Sequence, residues 1–148
     1  MLNKNILVVE DNPDHLELTL LTLQESGICE QISVARDGAE AVDYLFGQGE
    51  YQGRDTTQQP GLILLDLKLP KLSGVEVLQR VRADARTALI PIVVLTSSSE
   101  EQDITACFRH GANSFVRKPV DFGEFTEKLR LVQVYWLQVN ESRAAAAA

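Results

Sequence analysis

Short apolar runs punctuate the chain, and an amphipathic stretch follows each of them. Ile6 to Val9 is β-branched and apolar and stops at Glu10-Asp11-Asn12-Pro13, the pattern of a buried strand. Asn12 suits a helix N-cap and Pro13 its first turn. Leu16, Leu20 and Leu23 then recur at helical spacing until Gly27. Ile32 to Ala35 predicts a second strand, and Asp37-Gly38 opens a helix carrying Ala41, Val42, Leu45 and Phe46. Leu62 to Leu65 is the most apolar strand and ends at Asp66. Ser73 predicts the cap of a third helix with Val75, Leu78 and Val81. Ile92 to Thr96 is the fourth strand. Ser98 and Glu101, at capping-box spacing, open a fourth helix with Ile104, Cys107 and Phe108 that stops at Gly111. Ser114 to Arg117 is a short fifth strand before Lys118-Pro119, and Asp121 with Glu124 caps a last helix to about Val139.

Strands alternating with helices predict a parallel sheet covered on both faces, with right-handed crossovers. One stretch stands apart. Residues 47–60 are polar, hold three glycines and show no apolar period, so they read as a long loop. The chain of 148 residues is read as one domain over residues 1–140 and a tail over 141–148. Ala144 to Ala148, five alanines in a row, reads as an added remnant or a frayed helical extension outside the fold.

Composition narrows the class. Hydrophobic residues are 45% and charged ones 24%, as in an ordinary globular domain. The net charge is −7 with no Lys/Arg block, which argues against nucleic acid and against an anionic membrane surface. No apolar stretch approaches the ~20 residues of a membrane span. Cys29 and Cys107 are far apart and read as reduced thiols of a cytoplasmic protein.

The polar residues just beyond the strands carry the chemistry. In open parallel sheets, sites form at the carboxyl ends of the strands. The first strand delivers Glu10 and Asp11 there, the third Asp66, the fourth Thr96 and the fifth Lys118. A single Asp ending a strand is an ordinary turn residue; three acids, a hydroxyl and an ammonium arriving together are not. The carboxylates repel one another unless one takes a proton or a cation joins them. All the donors are oxygens, which suits Mg²⁺ rather than zinc. An Asp carboxylate can attack phosphorus to give an aspartyl phosphate.

Val9-Glu10-Asp11-Asn12, then Leu65 to Pro70 with Gly74, then Leu95-Thr96-Ser97, then Lys118-Pro119, together resemble the receiver domain of two-component response regulators. The resemblance covers about Asn5 to Gln138. It implies a flavodoxin-like (βα)5 fold: a doubly wound five-stranded parallel sheet in a three-layer αβα sandwich. Asp66 is then the phosphoacceptor, Asp11 a direct Mg²⁺ ligand, Glu10 a ligand through water, and the backbone carbonyl of Lys68 a further ligand. Thr96 is the switch hydroxyl, Phe115 the switch aromatic and Lys118 the phosphate-binding lysine, its bond to Pro119 often cis in the family. Glu10 departs from the commoner Asp by one methylene, which still reaches a metal-bound water. The implied partner is a sensor histidine kinase. The loop at 47–60 and the aromatic end Val134-Tyr135-Trp136-Leu137 look most like stand-alone regulators that partner phytochrome kinases. Such a protein is no enzyme of its own, but assists its own phosphorylation and dephosphorylation.

The rivals are an Asp-nucleophile phosphohydrolase, a flavodoxin-like cofactor binder and a phosphorylation-independent adaptor. The hydrolase wants a second Asp two residues after the nucleophile; Lys68 stands there. A cofactor loop after the first strand would not carry Glu10 and Asp11, which repel phosphate. His15 reads as a solvated first-turn residue, and Lys68 and Lys71 as solvated lysines. In the last helix Phe122, Phe125, Leu129, Val132, Trp136 and Val139 form the expected core stripe. Leu131, Val134, Tyr135 and Leu137 widen it, so Phe122, Leu131, Val134, Tyr135 and Trp136 are assigned to a homodimer interface.

Overall fold

The structure, a computed structural model, describes residues 3–141. The alternation read from the sequence is what folds. Strands β1 (Ile6–Val9), β2 (Ile32–Ala35), β3 (Leu62–Leu65), β4 (Ile92–Thr96) and β5 (Ser114–Arg117) form one parallel sheet in the order β2-β1-β3-β4-β5. Helices α1 (Pro13–Ser26), α2 (Gly38–Phe46), α3 (Gly74–Ala83), α4 (Glu101–Arg109) and α5 (Phe122–Val134) connect and follow the strands. The fold is the flavodoxin-like doubly wound sandwich.

Two cores follow from the period of two in the strands. Leu7, Val9, Ile63, Leu65, Ile92 and Val94 point to one face, under α2, α3 and α4. Ile6, Val8, Leu62, Leu64, Val93 and Leu95 point to the other, under α1 and α5. The register Val9↔Leu65 brings the ends of β1 and β3 level, so the acids that follow them emerge side by side.

Caps fix where the helices begin. Asn12, Asp37, Ser73 and Asp121 accept backbone N–H bonds as N-caps, and Ser73 with Glu76 closes a capping box. Ser98 does not. The helix α4 starts two residues later, behind Glu100, and the Ser98 hydroxyl donates to Asp103 Oδ2 at 2.5 Å. Asp103 lies in the first turn of α4, so the Ser98 hydroxyl meets the helix start through a side chain rather than through a cap bond to Glu101 N.

Residues 47–60 form the expected long loop, which holds one 3₁₀ turn at Gly49–Tyr51; Tyr51 donates to Glu40 Oε2 at 2.6 Å, and the Arg54 guanidinium lies 3.9 Å from the Tyr44 ring centroid. Two further expectations are corrected. The Lys118–Pro119 bond is trans, like every other peptide bond among the described residues. The last helix does not present the expected stripe. Phe125, Leu129, Gln133 and Leu137 are buried, whereas Phe122 and Val139 are 64% and 61% exposed. Tyr135–Val139 is a π-helical turn, which takes up more chain per turn and keeps Leu137 under Gln133. Trp136 is half-buried against the α1/α5 core, stacked edge-to-face on Tyr135. Ala144 to Ala148 lies outside the described residues.

A clamp holds the sheet end opposite the acids. Arg82 donates to the carbonyls of Ala88, Ile90 and Gly111 and to Asn113 Oδ1. It thus ties the end of α3 to the turns before β4 and β5. Arg82→Ala is expected to lower urea-unfolding stability by about 3 kcal/mol, because it strips three partly buried carbonyls of a charged donor. A loss below about 0.5 kcal/mol, the range of a bland surface substitution, would show the clamp to be ornamental.

Candidate functional site

The site is built by three strand ends. Glu10 follows β1 and is held by its own backbone, whose N–H donates to Ala35 O at 3.0 Å. Its side chain is buried, and Oε2 accepts from Asn12 N at 3.2 Å. Asp11 is exposed at the rim. Asp66 follows β3; its N–H donates to Val9 O at 3.0 Å, and Oδ1 accepts from Leu67 N at 2.7 Å. Lys118 follows β5, with its N–H on Thr96 O at 2.7 Å and its side chain buried.

Carboxylate oxygens of Glu10, Asp11 and Asp66 lie within 4.8 Å of one another. The Lys118 ammonium inserts among them, donating to Glu10 Oε1 and to Asp66 Oδ2, the latter at 3.2 Å. One ammonium does not neutralise three acids. Burial, aided by the Asp66 carboxyl beside it, raises Glu10 to about 7 despite the pull of Lys118. A divalent cation among these oxygens would relieve that crowding. The donor set is all oxygen and one member is open to solvent, so the residues fit a hard cation that keeps some of its waters.

Close packing shapes the loop beyond Asp66. A Cβ on Gly74 would stand 2.6 Å from the Asp66 carbonyl oxygen and 2.7 Å from Leu67 Cα, so only glycine lets α3 start there. A Cβ on Gly38 would meet the Leu72 carbonyl at 2.0 Å. The loop is thereby pressed onto the start of α2, and Lys71, at φ 68°, pairs with the α2 cap Asp37 at 3.5 Å. The Lys71 side chain is solvated as expected, 70% exposed beyond this surface pair. The Lys68 side chain is exposed, and its carbonyl lies in this pinned turn.

Two expected members stand back from the cluster. Thr96 is 1% exposed, and its hydroxyl accepts from Ser98 N at 3.4 Å rather than touching Asp66 or Lys118. Phe115, half-buried on β5, already packs against the core under α2, α3 and α4. One unexpected member joins. His15 is only partly exposed rather than simply solvated: its Nδ1 lies 3.1 Å from Lys118 Nζ, and its ring sits 6.2 Å from that of Phe125. Its place in the first turn of α1, one turn past Asp11, is the only trace of this in the sequence.

Comparison with known proteins agrees with this geometry. Response regulator Rcp1 of Synechocystis is 35% identical over 142 residues, covering 96% of this chain and 95% of that protein. The probable methanogenesis regulatory protein FilR2 of Methanothrix harundinacea is 37% identical, covering 93% and 86%. The phosphorylated cyanobacterial phytochrome response regulator RcpA superposes with a TM-score of 0.89 at 33% identity, covering 96% of this chain and 99% of that one. The Mn²⁺-bound form of Rcp1 gives 0.88, covering 95% and 99% at 34% identity. The bacteriophytochrome response regulator AtBRR gives 0.75 at 44% identity, covering 97% and 98%. The receiver-domain signature itself matches residues 6–130, and with the acids, the lysine and the sheet order already in place the chain belongs to the response regulator receiver domain family.

Proposed function

We propose that Asp66 accepts a phosphoryl group from the phosphohistidine of a sensor kinase. The observation that supports this reading is the meeting of Glu10, Asp11, Asp66 and Lys118 at one sheet edge. In the transfer, an Asp66 carboxylate oxygen forms a bond to phosphorus. The bond from phosphorus to the kinase imidazole breaks, and the imidazole nitrogen keeps the electron pair. Lys118 donates to a phosphoryl oxygen in place of Asp66 Oδ2. Asp11, Glu10 (through water), Asp66 and the Lys68 carbonyl would hold Mg²⁺, which supplies positive charge to the phosphoryl oxygens when bound. The Thr96 hydroxyl leaves Ser98 N for the phosphoryl group, and Phe115 packs deeper behind it. The face of α4, β5 and α5 then carries the signal as a two-state shift.

A kinase of the phytochrome type is the proposed donor. Likeness to RcpA and AtBRR over nearly the whole chain supports it. The phosphohydrolase alternative is disfavoured by Lys68, since no acid stands two residues beyond Asp66 to protonate a leaving group. No helix among the described residues is long and apolar enough to cross a membrane.

The output is read as a homodimer through α5. On α5 and the turn after it, Leu131, Phe122, Tyr135 and Val134 are 63%, 64%, 48% and 39% exposed. Trp136 supports it from below rather than lying on it.

Incubation with Mg²⁺ and acetyl phosphate is expected to add one phosphate to the intact mass, and none to Asp66→Asn. Lys118→Ala should bind Mg²⁺ and fail to reach the activated state; loss of metal binding would contradict its role. Mg²⁺ at a hundred times its Kd should raise stability by about 2.7 kcal/mol, and Asp11→Asn should lose most of that gain. An equal rise in Asp11→Asn would move the metal elsewhere. In light scattering the phosphorylated protein should be a dimer at micromolar concentration and Tyr135→Glu a monomer; a monomeric wild type would end the dimer proposal.

A further inference from the structure

The Lys118 ammonium has three N–H donors and, in this site, three acceptors: Glu10 Oε1, Asp66 Oδ2 at 3.2 Å and His15 Nδ1 at 3.1 Å. A lysine accepts nothing, so His15 Nδ1 must be the acceptor, and its proton must sit on Nε2. The ring is held for that task. The His15 backbone N–H is capped by Asn12 Oδ1 at 3.1 Å, and Phe125 of α5 backs the imidazole. Helix α1 therefore contributes to a site that the sheet edge otherwise builds.

The chemistry of the third acceptor matters. When a phosphoryl group forms on Asp66, the bond to Oδ2 has to be exchanged. A fourth carboxylate at the position of His15 would compete for the ammonium and repel the incoming phosphate. A neutral nitrogen holds the ammonium without adding negative charge. Leaving the third N–H empty would be costly, because Lys118 is only 6% exposed and water cannot freely replace the partner.

We propose that His15 is a positioning residue that anchors the Lys118 ammonium through the exchange from Asp66 carboxylate to phosphoryl oxygen. The inference rests on Asp66 being the phosphoacceptor. Without His15 the ammonium settles onto the Glu10 and Asp66 carboxylates and has to be pulled from them by the phosphodonor. Phosphorylation then slows, while the metal ligands stay in place.

The local charges agree. Burial first, then the Lys118 charge, lower the His15 pKa below its ordinary value, against the opposing pull of Asp66, Asp14 and Asp11. The group from α5 that faces the ring, Phe125, is uncharged.

The test is the rate of phosphorylation by acetyl phosphate at saturating Mg²⁺ in wild type, His15→Leu, His15→Asn, Lys118→Met and the His15→Leu/Lys118→Met double variant. His15→Leu keeps the packing on Phe125 and is expected to slow the reaction about tenfold, the scale of one charge-assisted hydrogen bond. His15→Asn restores an acceptor near the Nδ1 position and should recover most of the rate. The double variant should match Lys118→Met alone, because His15 acts only through the lysine. An unchanged rate in His15→Leu, or a full additional tenfold loss on top of Lys118→Met, would overturn the role. NMR titration of His15 gives a readout free of phosphate: its pKa should rise in Lys118→Met, and an unchanged titration overturns the contact itself. If His15 titration shifts in Lys118→Met while the wild type takes no phosphate on Asp66, the contact stands but the phosphoacceptor reading falls, and the role of His15 in the exchange with it.

Discussion

Three carboxylates crowd around one buried ammonium, and the rest of the site answers to that imbalance. Lys118 satisfies Glu10 and Asp66 directly, yet Glu10 remains reluctant to ionise because it is buried beside a second acid. The arrangement is poised to gain positive charge. A hard divalent cation on the exposed side, near Asp11, would supply it without disturbing the lysine. A phosphoryl group would then meet positive charge already set in place, which is most of what phosphoryl transfer asks of a protein.

The sheet makes the crowding possible. The level ends of β1 and β3 bring Glu10, Asp11 and Asp66 together, and β5 sends Lys118 back across β4. Gly74 and Gly38 let the loop after Asp66 lie against its neighbours, where any side chain would strike backbone. Stability and function are separated in space. The apolar cores and the Arg82 clamp hold the fold, and the crowded polar edge is carried by them.

Much of this was legible in the sequence because strands announce themselves through apolar runs and end at the site residues. The five strands, four of the N-caps and the convergence of Glu10, Asp11, Asp66 and Lys118 follow from local pattern plus the rule that parallel sheets place sites at their carboxyl ends. What escaped depends on contacts distant in sequence or on departures from regular geometry. His15 looked like any first-turn residue until the end of β5 came to lie beside it, 103 positions away. Ser98 had the spacing of a cap, but Asp103 offered its hydroxyl another acceptor. The last helix had an orderly stripe, and the π turn at Tyr135–Val139 redirected it, burying Leu137 and exposing Val139.

The central claim is chemical: one carboxylate, that of Asp66, becomes an acyl phosphate. Borohydride reduces an aspartyl phosphate to homoserine, which survives proteolysis and can be located by peptide mass spectrometry. After treatment with Mg²⁺ and acetyl phosphate and then borohydride, the account predicts homoserine at position 66 and an unmodified aspartate at position 11. Reduction at Asp11 or Glu10, or none at Asp66 in a protein that has gained a phosphate, would contradict it.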